Sequence, residues 1–291
     1  MLTIFGSIIM DHVFRVDHNP APGETILSEG LSLHPGGKGA NQALAARRAG
    51  ADVTMVGAVG ALGIDDPVLA NLRTAGVDLA GVKTTDAPTG MAAISVAASG
   101  ENAIMVALGA NSHARADQVG DDLLGPDNIL LVQMELDRIE TETLIERARR
   151  MGTTIILNLA PALPISNEAL SALDYLIVNE GELLSLSPQG DAAGLAQQHD
   201  CIVITTLGAK GAAAVTPVGE AVSVPSLPIT PVDTTGAGDC FSGAFAAALA
   251  QGHKLESALQ RAAIAGSLAC TKLGAQSAQP TKAEIDENAG A

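Results

Sequence analysis

The chain has 291 residues, 47% of them hydrophobic but only 2% aromatic, and 32 acidic against 16 basic residues give a formal charge of −16. An aliphatic surplus of Ala, Val, Ile and Leu suits strands covered by helices on both faces, and without a cluster of Lys and Arg to displace phosphate counterions no nucleic-acid partner is expected. No stretch reaches the ~18 uninterrupted apolar residues that cross a bilayer, the N-terminal MLTIFGSIIMD lacks the basic region of a signal peptide, and Cys201, Cys240 and Cys270 share no zinc or disulfide spacing, so a cytoplasmic chain with reduced thiols is expected.

Along the chain, short β-branched runs alternate with longer Ala- and Leu-rich stretches. Strands are predicted over 2–8, 52–59, 129–133, 153–158, 175–178 and 201–205. Helices are predicted over 39–49, 67–75, 139–151, 167–172, 180–185, 238–250 and 255–272. This alternation implies βαβ crossovers and a mostly parallel sheet. Two segments break it. Residues 12–34 and 87–107 carry VFRV, TILSEGLSL, GMAAISVA and NAIMVAL, punctuated by Pro and Gly. They read either as ordinary loops or as strands of a small antiparallel flap outside the main sheet, the second fitting their alternation better. The expected organisation is one α/β domain over 1–291 with this flap inserted.

Chemistry concentrates in two Gly-rich stretches, each opening a helix. In VDTTGAGD, residues 232–239, the turn feeds a helix of small and apolar residues. The leading N–H groups of such a helix have no intrahelical partner and carry positive partial charge, and small residues let an anion approach them. Asp239 falls in the first turn, beside that anion position. Phosphoryl transfer needs a base for the accepting hydroxyl, which suits Asp239. Taken alone, an acid at a helix start is also what the helix dipole recruits. The second stretch, PGGKGANQ at 35–42, departs from the Walker pattern, since no Ser or Thr follows Lys38.

Together the two stretches resemble the signatures of the ribokinase family of carbohydrate kinases. GGKGAN at 36–41 is similar to that family's N-terminal signature and DTTGAGD at 233–239 to its C-terminal one. The likeness continues in order through Gly6-Ser7, PGE at 22–24, GAN at 109–111, QME at 133–135, NLAP at 158–161, NEGE at 179–182 and TLG at 206–208. The resemblance implies a three-layer α/β/α sandwich with a mostly parallel central sheet and a small β-sheet lid. It implies ATP as co-substrate, Mg²⁺ and K⁺, and a homodimer formed through the lids, an arrangement that would also cover exposed sheet edges.

Site roles follow from the same resemblance. Asp239 would be the catalytic base, with Gly236, Ala237 and Gly238 as the anion hole. Asp11, Gly37, Lys38, Asn41 and Glu135 would hold the sugar hydroxyls together with Asp239. Asn179, Thr206, Gly208, Gly211 and Gly238 would bind the nucleotide, and Glu182 would organise Mg²⁺ through water. Asp233, Thr235, Ala269, Lys272 and Gly274 match a K⁺ site built largely of backbone carbonyls. Three positions depart from the pattern: Ile9 stands where an Asn commonly contacts the sugar, Ala263 where a polar residue often meets adenine, and Ser277 lies one place off a family Ser. The implied reaction is D-ribose plus ATP to D-ribose 5-phosphate and ADP. Alternatives are a kinase for a nucleoside, ketose or deoxy sugar acid, and a non-catalytic sensor of sugar or nucleotide.

Overall fold

A computed structural model describes residues 1–290. In its first half the chain runs β1 (Leu2–Phe5), β2 (Ile9–Val16), β3 (Gly30–Gly36), α1 (Lys38–Arg48), β4 (Val53–Val59), α2 (Ala70–Ala75), β5 (Asp78–Thr84), β6 (Gly90–Ala97), β7 (Asn102–Ala107) and β8 (Ile129–Val132). It continues through α3 (Arg138–Arg150), β9 (Thr154–Asn158), α4 (Asn167–Leu170), β10 (Tyr175–Asn179), α5 (Glu180–Leu186), α6 (Ala192–His199) and β11 (Ile202–Thr206). The last elements are β12 (Ala212–Val215), β13 (Ala221–Val224), α7 (Ala237–Ala250), α8 (Leu255–Ala269) and α9 (Lys282–Ala289).

The large sheet has the order β13-β12-β11-β10-β9-β8-β1-β4-β5. It is parallel from β11 to β5, and an antiparallel hairpin, β12 and β13, extends one edge. Period-2 alternation divides the strand side chains between two cores. Leu2, Ile4, Leu131, Ile156, Ile177 and Ile204 pack with α1, α2, α7, α8 and α9. Phe5, Leu130, Val132, Ile155, Leu157 and Val203 pack with α3, α4, α5 and α6 on the opposite face. This is the expected three-layer sandwich, and it explains the aliphatic composition: strands covered on both faces need no polar alternation.

The second sheet has the order β3-β2-β6-β7. The expectation of an antiparallel flap needs correction, because β2 and β6 pair in parallel from Ile9↔Gly90 to Val16↔Ala97. Only the outer pairs, β2–β3 and β6–β7, are antiparallel. The reason is connectivity: β3 leads into α1 and β4 of the large body before the chain returns at Gly90, a crossover rather than a hairpin. The sheet also begins nearer the large body than expected, at Ile9, and β3 extends to Gly36.

Helix α1 crosses α7 closely. The Cα of Gly243 lies against α1, where an added Cβ would stand 2.8 Å from Ala45 Cβ and 3.0 Å from the Ala46 nitrogen. The contact brings the start of α1 beside the start of α7, and so joins the two signature stretches.

Candidate active site

The predicted site residues gather beyond the carboxyl ends of the parallel strands, the crevice where open α/β sheets bind ligands. β1 delivers Ser7, β8 delivers Glu135, β9 ends in Asn158, β10 in Asn179 and β11 in Thr206. The small sheet contributes Asp11 from β2. Gly236 adopts φ 74° and caps α7, so that Ala237, Gly238 and Asp239 form the first helical turn. A left-handed φ is what glycine supplies without strain, and here it turns the backbone into α7; of the predicted anion-hole amides, Ala237 N–H is taken by the Thr234 carbonyl at 3.2 Å, which leaves those of Gly236 and Gly238 for an anion.

Asp239 is only 7% exposed. Its carboxylate is held from α1: Asn41 Nδ2 donates to Oδ2 at 2.9 Å and Gln42 Nε2 donates to Oδ1 at 3.0 Å. Asn41 is held in turn by the segment after α8, since Gln276 Nε2 donates to its Oδ1 at 3.1 Å and Gln279 Nε2 to its carbonyl at 2.9 Å. Arg48 fixes that segment by donating to the Gln276 and Gln279 carbonyls.

Glu135 clamps the other signature. Its Oε2 accepts from Ser7 Oγ at 2.5 Å and from the Lys38 backbone N–H at 3.0 Å, so a carboxylate sits at the N-terminus of α1, where the dipole favours it. Asp11 is partly buried, and burial, reinforced by the charges of Glu135 and Asp239, pushes its pKa up to about 6. Burial works to lower the Lys38 ammonium pKa, but Asp239, Glu135 and Glu182 outweigh it and hold it above the usual lysine value. Acceptors dominate this end of the crevice, which suits a ligand rich in hydroxyl donors.

Two cavities meet at Thr206 and Gly238. One, of about 150 Å³, is lined by Lys38, Asn158, Asn179, Glu182, Gly236, Asp239 and others. The other, of about 370 Å³, is largely apolar, with Gly208, Gly211, Phe241, Ala263 and the 226–231 segment in its walls. Asn179 and Glu182 form a capping box at the start of α5: each side chain accepts the other's backbone N–H at 2.8 Å. Burial raises the Glu182 pKa above the carboxylate norm.

The segments carrying Asp233 and Gly274 zip together. Val232 N–H donates to the Cys270 carbonyl at 2.8 Å, and Asp233 accepts from the N–H groups of Thr235 and Gly274, each at 2.9 Å. Burial acts against it, yet these hydrogen bonds leave Asp233 below its ordinary pKa. Of the remaining predicted cation residues, Ala269 is buried in the last turn of α8, while the Lys272 side chain points away to Glu284 at 3.4 Å. Sequence reasoning assigned no role to Gln42, Asn158 or Gln276. Gln42, the residue following GGKGAN, and Asn158, the first of NLAP, stood in stretches that carry the resemblance, and Gln276 gave no signal.

Residues 1–282 match the pfkB family of carbohydrate kinases, and the chain belongs to that family. It is 37% identical over 289 residues to the ribokinase of Bacillus subtilis, an alignment covering 98% of each chain. The structure of Arabidopsis thaliana ribokinase complexed with ribose and ATP superposes with a TM-score of 0.91 at 30% identity, covering 99% of this chain and 98% of that one. A deoxyribokinase of Salmonella typhi is 31% identical over 300 residues, covering 98% of this chain and 97% of its own length. The molecule is thus a carbohydrate kinase of ribokinase-like fold, a phosphotransferase acting on a sugar hydroxyl.

Proposed function

We propose that this kinase transfers the γ-phosphoryl group of ATP to D-ribose, giving D-ribose 5-phosphate and ADP. The observation that carries the reading is Asp239 in the wall of the smaller, polar cavity, one residue from Gly238, where that cavity meets the larger apolar one. The sugar lies against Asp11, Gly37, Lys38, Asn41 and Glu135. ATP occupies the larger cavity along Thr206, Gly208 and Gly211, with its phosphates reaching Asn179 and the turn Gly236–Gly238. Asp239 takes the proton of the accepting hydroxyl as its oxygen attacks phosphorus, and the leaving pair remains on ADP. The Gly236 and Gly238 N–H groups of the α7 turn and the Lys38 ammonium meet the transferring phosphoryl charge.

Among the described residues no group of three or more His, Cys, Asp or Glu is placed to cage a metal. That fits Mg²⁺, which keeps much of its water and is held through substrate phosphates and one or two carboxylates. Glu182, half-buried with one carboxylate oxygen uncommitted, and Asn179 would hold it through water, and the ion would supply charge neutralisation. Asp233 and the carbonyls around Thr235, Ala269, Lys272 and Gly274 would hold K⁺. Reduced thiols, two of the three cysteines being buried, support a cytoplasmic location. Exposed Leu31, Leu33, Ile104 and Met105 on the small sheet, 73% exposed in the case of Met105, support a homodimer through the lids. Sedimentation at micromolar concentration is expected to give a dimer, and monomer alone would refute it.

Ile9 favours a second reading, 2-deoxyribose. It is buried at the start of β2, leaving one hydroxyl contact of the resemblance unmade. A site lacking a polar partner loses discrimination against the analogue lacking that hydroxyl. ADP release is measured over ribose, deoxyribose, fructose, ketodeoxygluconate and nucleosides, with and without K⁺. Turnover with ribose supports the proposal, and background rates with ribose beside turnover of another substrate overturn it. Asp239→Asn is expected to bind ATP while losing at least ~10³ in kcat, and an unchanged rate removes the base assignment.

A further inference from the structure

Gln42 is fully buried, and both hydrogens of its amide are committed within the protein. Nε2 gives one hydrogen to Asp239 Oδ1 at 3.0 Å and the other to Asn158 Oδ1 at 2.9 Å, while Oε1 accepts from Gln133 Nε2 at 2.7 Å. The direction of this amide is dictated by its neighbours. A carboxylate accepts only, so the nitrogen must face Asp239. Asn158 offers its oxygen because its own nitrogen donates to the Ile177 carbonyl at 3.3 Å. Gln133 must then present its nitrogen to Gln42, and its own buried oxygen is left without a partner. An unpaired buried acceptor costs about 1–3 kcal/mol. The defect therefore sits at the end of the amide chain farthest from the carboxylate, and every group touching Asp239 is satisfied.

We propose that Gln42 is a positioning residue for phosphoryl transfer. With Asn41 on the other oxygen, it fills the interior acceptor positions of Asp239 and fixes the carboxylate plane. The positions that remain open are those on the cavity side, between Lys38 and Gly238, where the accepting hydroxyl arrives. Its proton passes to Asp239, its oxygen bonds to the γ-phosphorus, and the bond to the ADP oxygen breaks. Gln42 touches none of the reacting atoms and acts through Asp239. The inference rests on Asp239 being the base.

The test compares two variants that each delete one buried amide of the same chain, Gln42→Met and Gln133→Met. Steady-state kcat, both KM values, the pH profile of kcat and the melting curve are measured for each. Gln42→Met is expected to lose about 10- to 100-fold in kcat, the worth of one hydrogen bond to a charged group, with KM for ATP within about threefold. The acidic limb of its profile moves to higher pH, because the ionised carboxylate has lost a donor. Gln133→Met keeps both donor bonds of Gln42, so its kcat stays within about threefold although its melting temperature falls. Wild-type kcat in Gln42→Met, or equal kcat losses in the two variants, overturns the proposal. If Gln42→Met does not fold, Gln42→Glu fills the same volume with an acceptor, and the limb must move the same way. Full activity of Asp239→Asn would remove the premise instead, so the two failures are distinguishable.

Discussion

The contact between α1 and α7 sets the distance between the amides of Asn41 and Gln42 and the carboxylate of Asp239, and Gly243→Ala tests it. The new Cβ would lie 2.8 Å from Ala45 Cβ and 3.0 Å from the Ala46 nitrogen, and closer still to the Gln42 carbonyl oxygen. Carbon atoms rest about 3.5–4.0 Å apart, so the helices must part by roughly 1 Å. Overpacking of this kind costs about 1–3 kcal/mol, while alanine regains ~1 kcal/mol of helix propensity over glycine. The net loss of at most ~2 kcal/mol lowers the melting temperature by no more than about 8 °C. Catalysis is more sensitive. Hydrogen bonds of 2.9 and 3.0 Å become gaps near 4 Å, and a misplacement of about 1 Å can cost ~10² in rate. The expected result is a folded enzyme with kcat reduced about 10- to 100-fold and ATP affinity near wild type, read by coupled ADP release beside a thermal melt. A variant that loses stability but keeps wild-type kcat would refute the reasoning, since the base would then tolerate separation from α1.

Two further outcomes follow from the charges and the cavity walls. Asp11 takes up its proton near pH 6 in the fold against an ordinary value of 3.8, so the stability it contributes is present below pH 3.8 and lost as pH rises through 6. Asp11→Asn should therefore raise the melting temperature at pH 7.5, by the equivalent of at most roughly 3 kcal/mol, with little gain near pH 4. The same variant should raise the KM for sugar, and coincident melts at pH 7.5 would show that the crowded carboxylates cost nothing. At the apolar cavity, Ser226 Oγ is committed to the Ala209 carbonyl and Ser267 Oγ to the Ala263 carbonyl. The wall offers little beyond the Thr234 hydroxyl, and a largely apolar pocket rejects an analogue by only ~10², so kcat/KM for GTP should fall within about 10² of that for ATP, and discrimination near 10⁴ would reveal a specific base contact.

Much of this architecture was legible because the strands that build the core announce themselves. Runs such as ILLV and YLIV are apolar at successive positions, as strands buried on both faces must be. The outer strands of the large sheet were not. β5 reads DLAGVKT, polar and half-exposed, and β12 reads AAAV, which favours a helix in isolation. The predicted strand over 2–8 stops at Phe5 because the chain leaves the large sheet at Gly6 for the small one. The same imbalance marks the site. The glycines and Asp239 stand in two contiguous stretches, each visible as a turn opening a helix. The partners that orient Asp239 are separated from it by 197 and 198 residues, and nothing local marks a glutamine as the neighbour of a distant carboxylate.

The parallel pairing of β2 with β6 also dictates an order of assembly. Their registered partners, Ile9 with Gly90 through Val16 with Ala97, are about eighty residues apart in the chain, with α1 and β4 between them. A lone β2–β3 hairpin is at best marginally stable in water, and long-range pairings form only after chain closure has been met by other contacts. The small sheet is therefore completed late, once the large body has drawn its two halves together, and Asp11 reaches its place opposite Asp239 only at that stage. During synthesis, a chain halted before residue 90 would hold the glycine-rich turn at 36–39 yet lack the strand against which β2 is aligned.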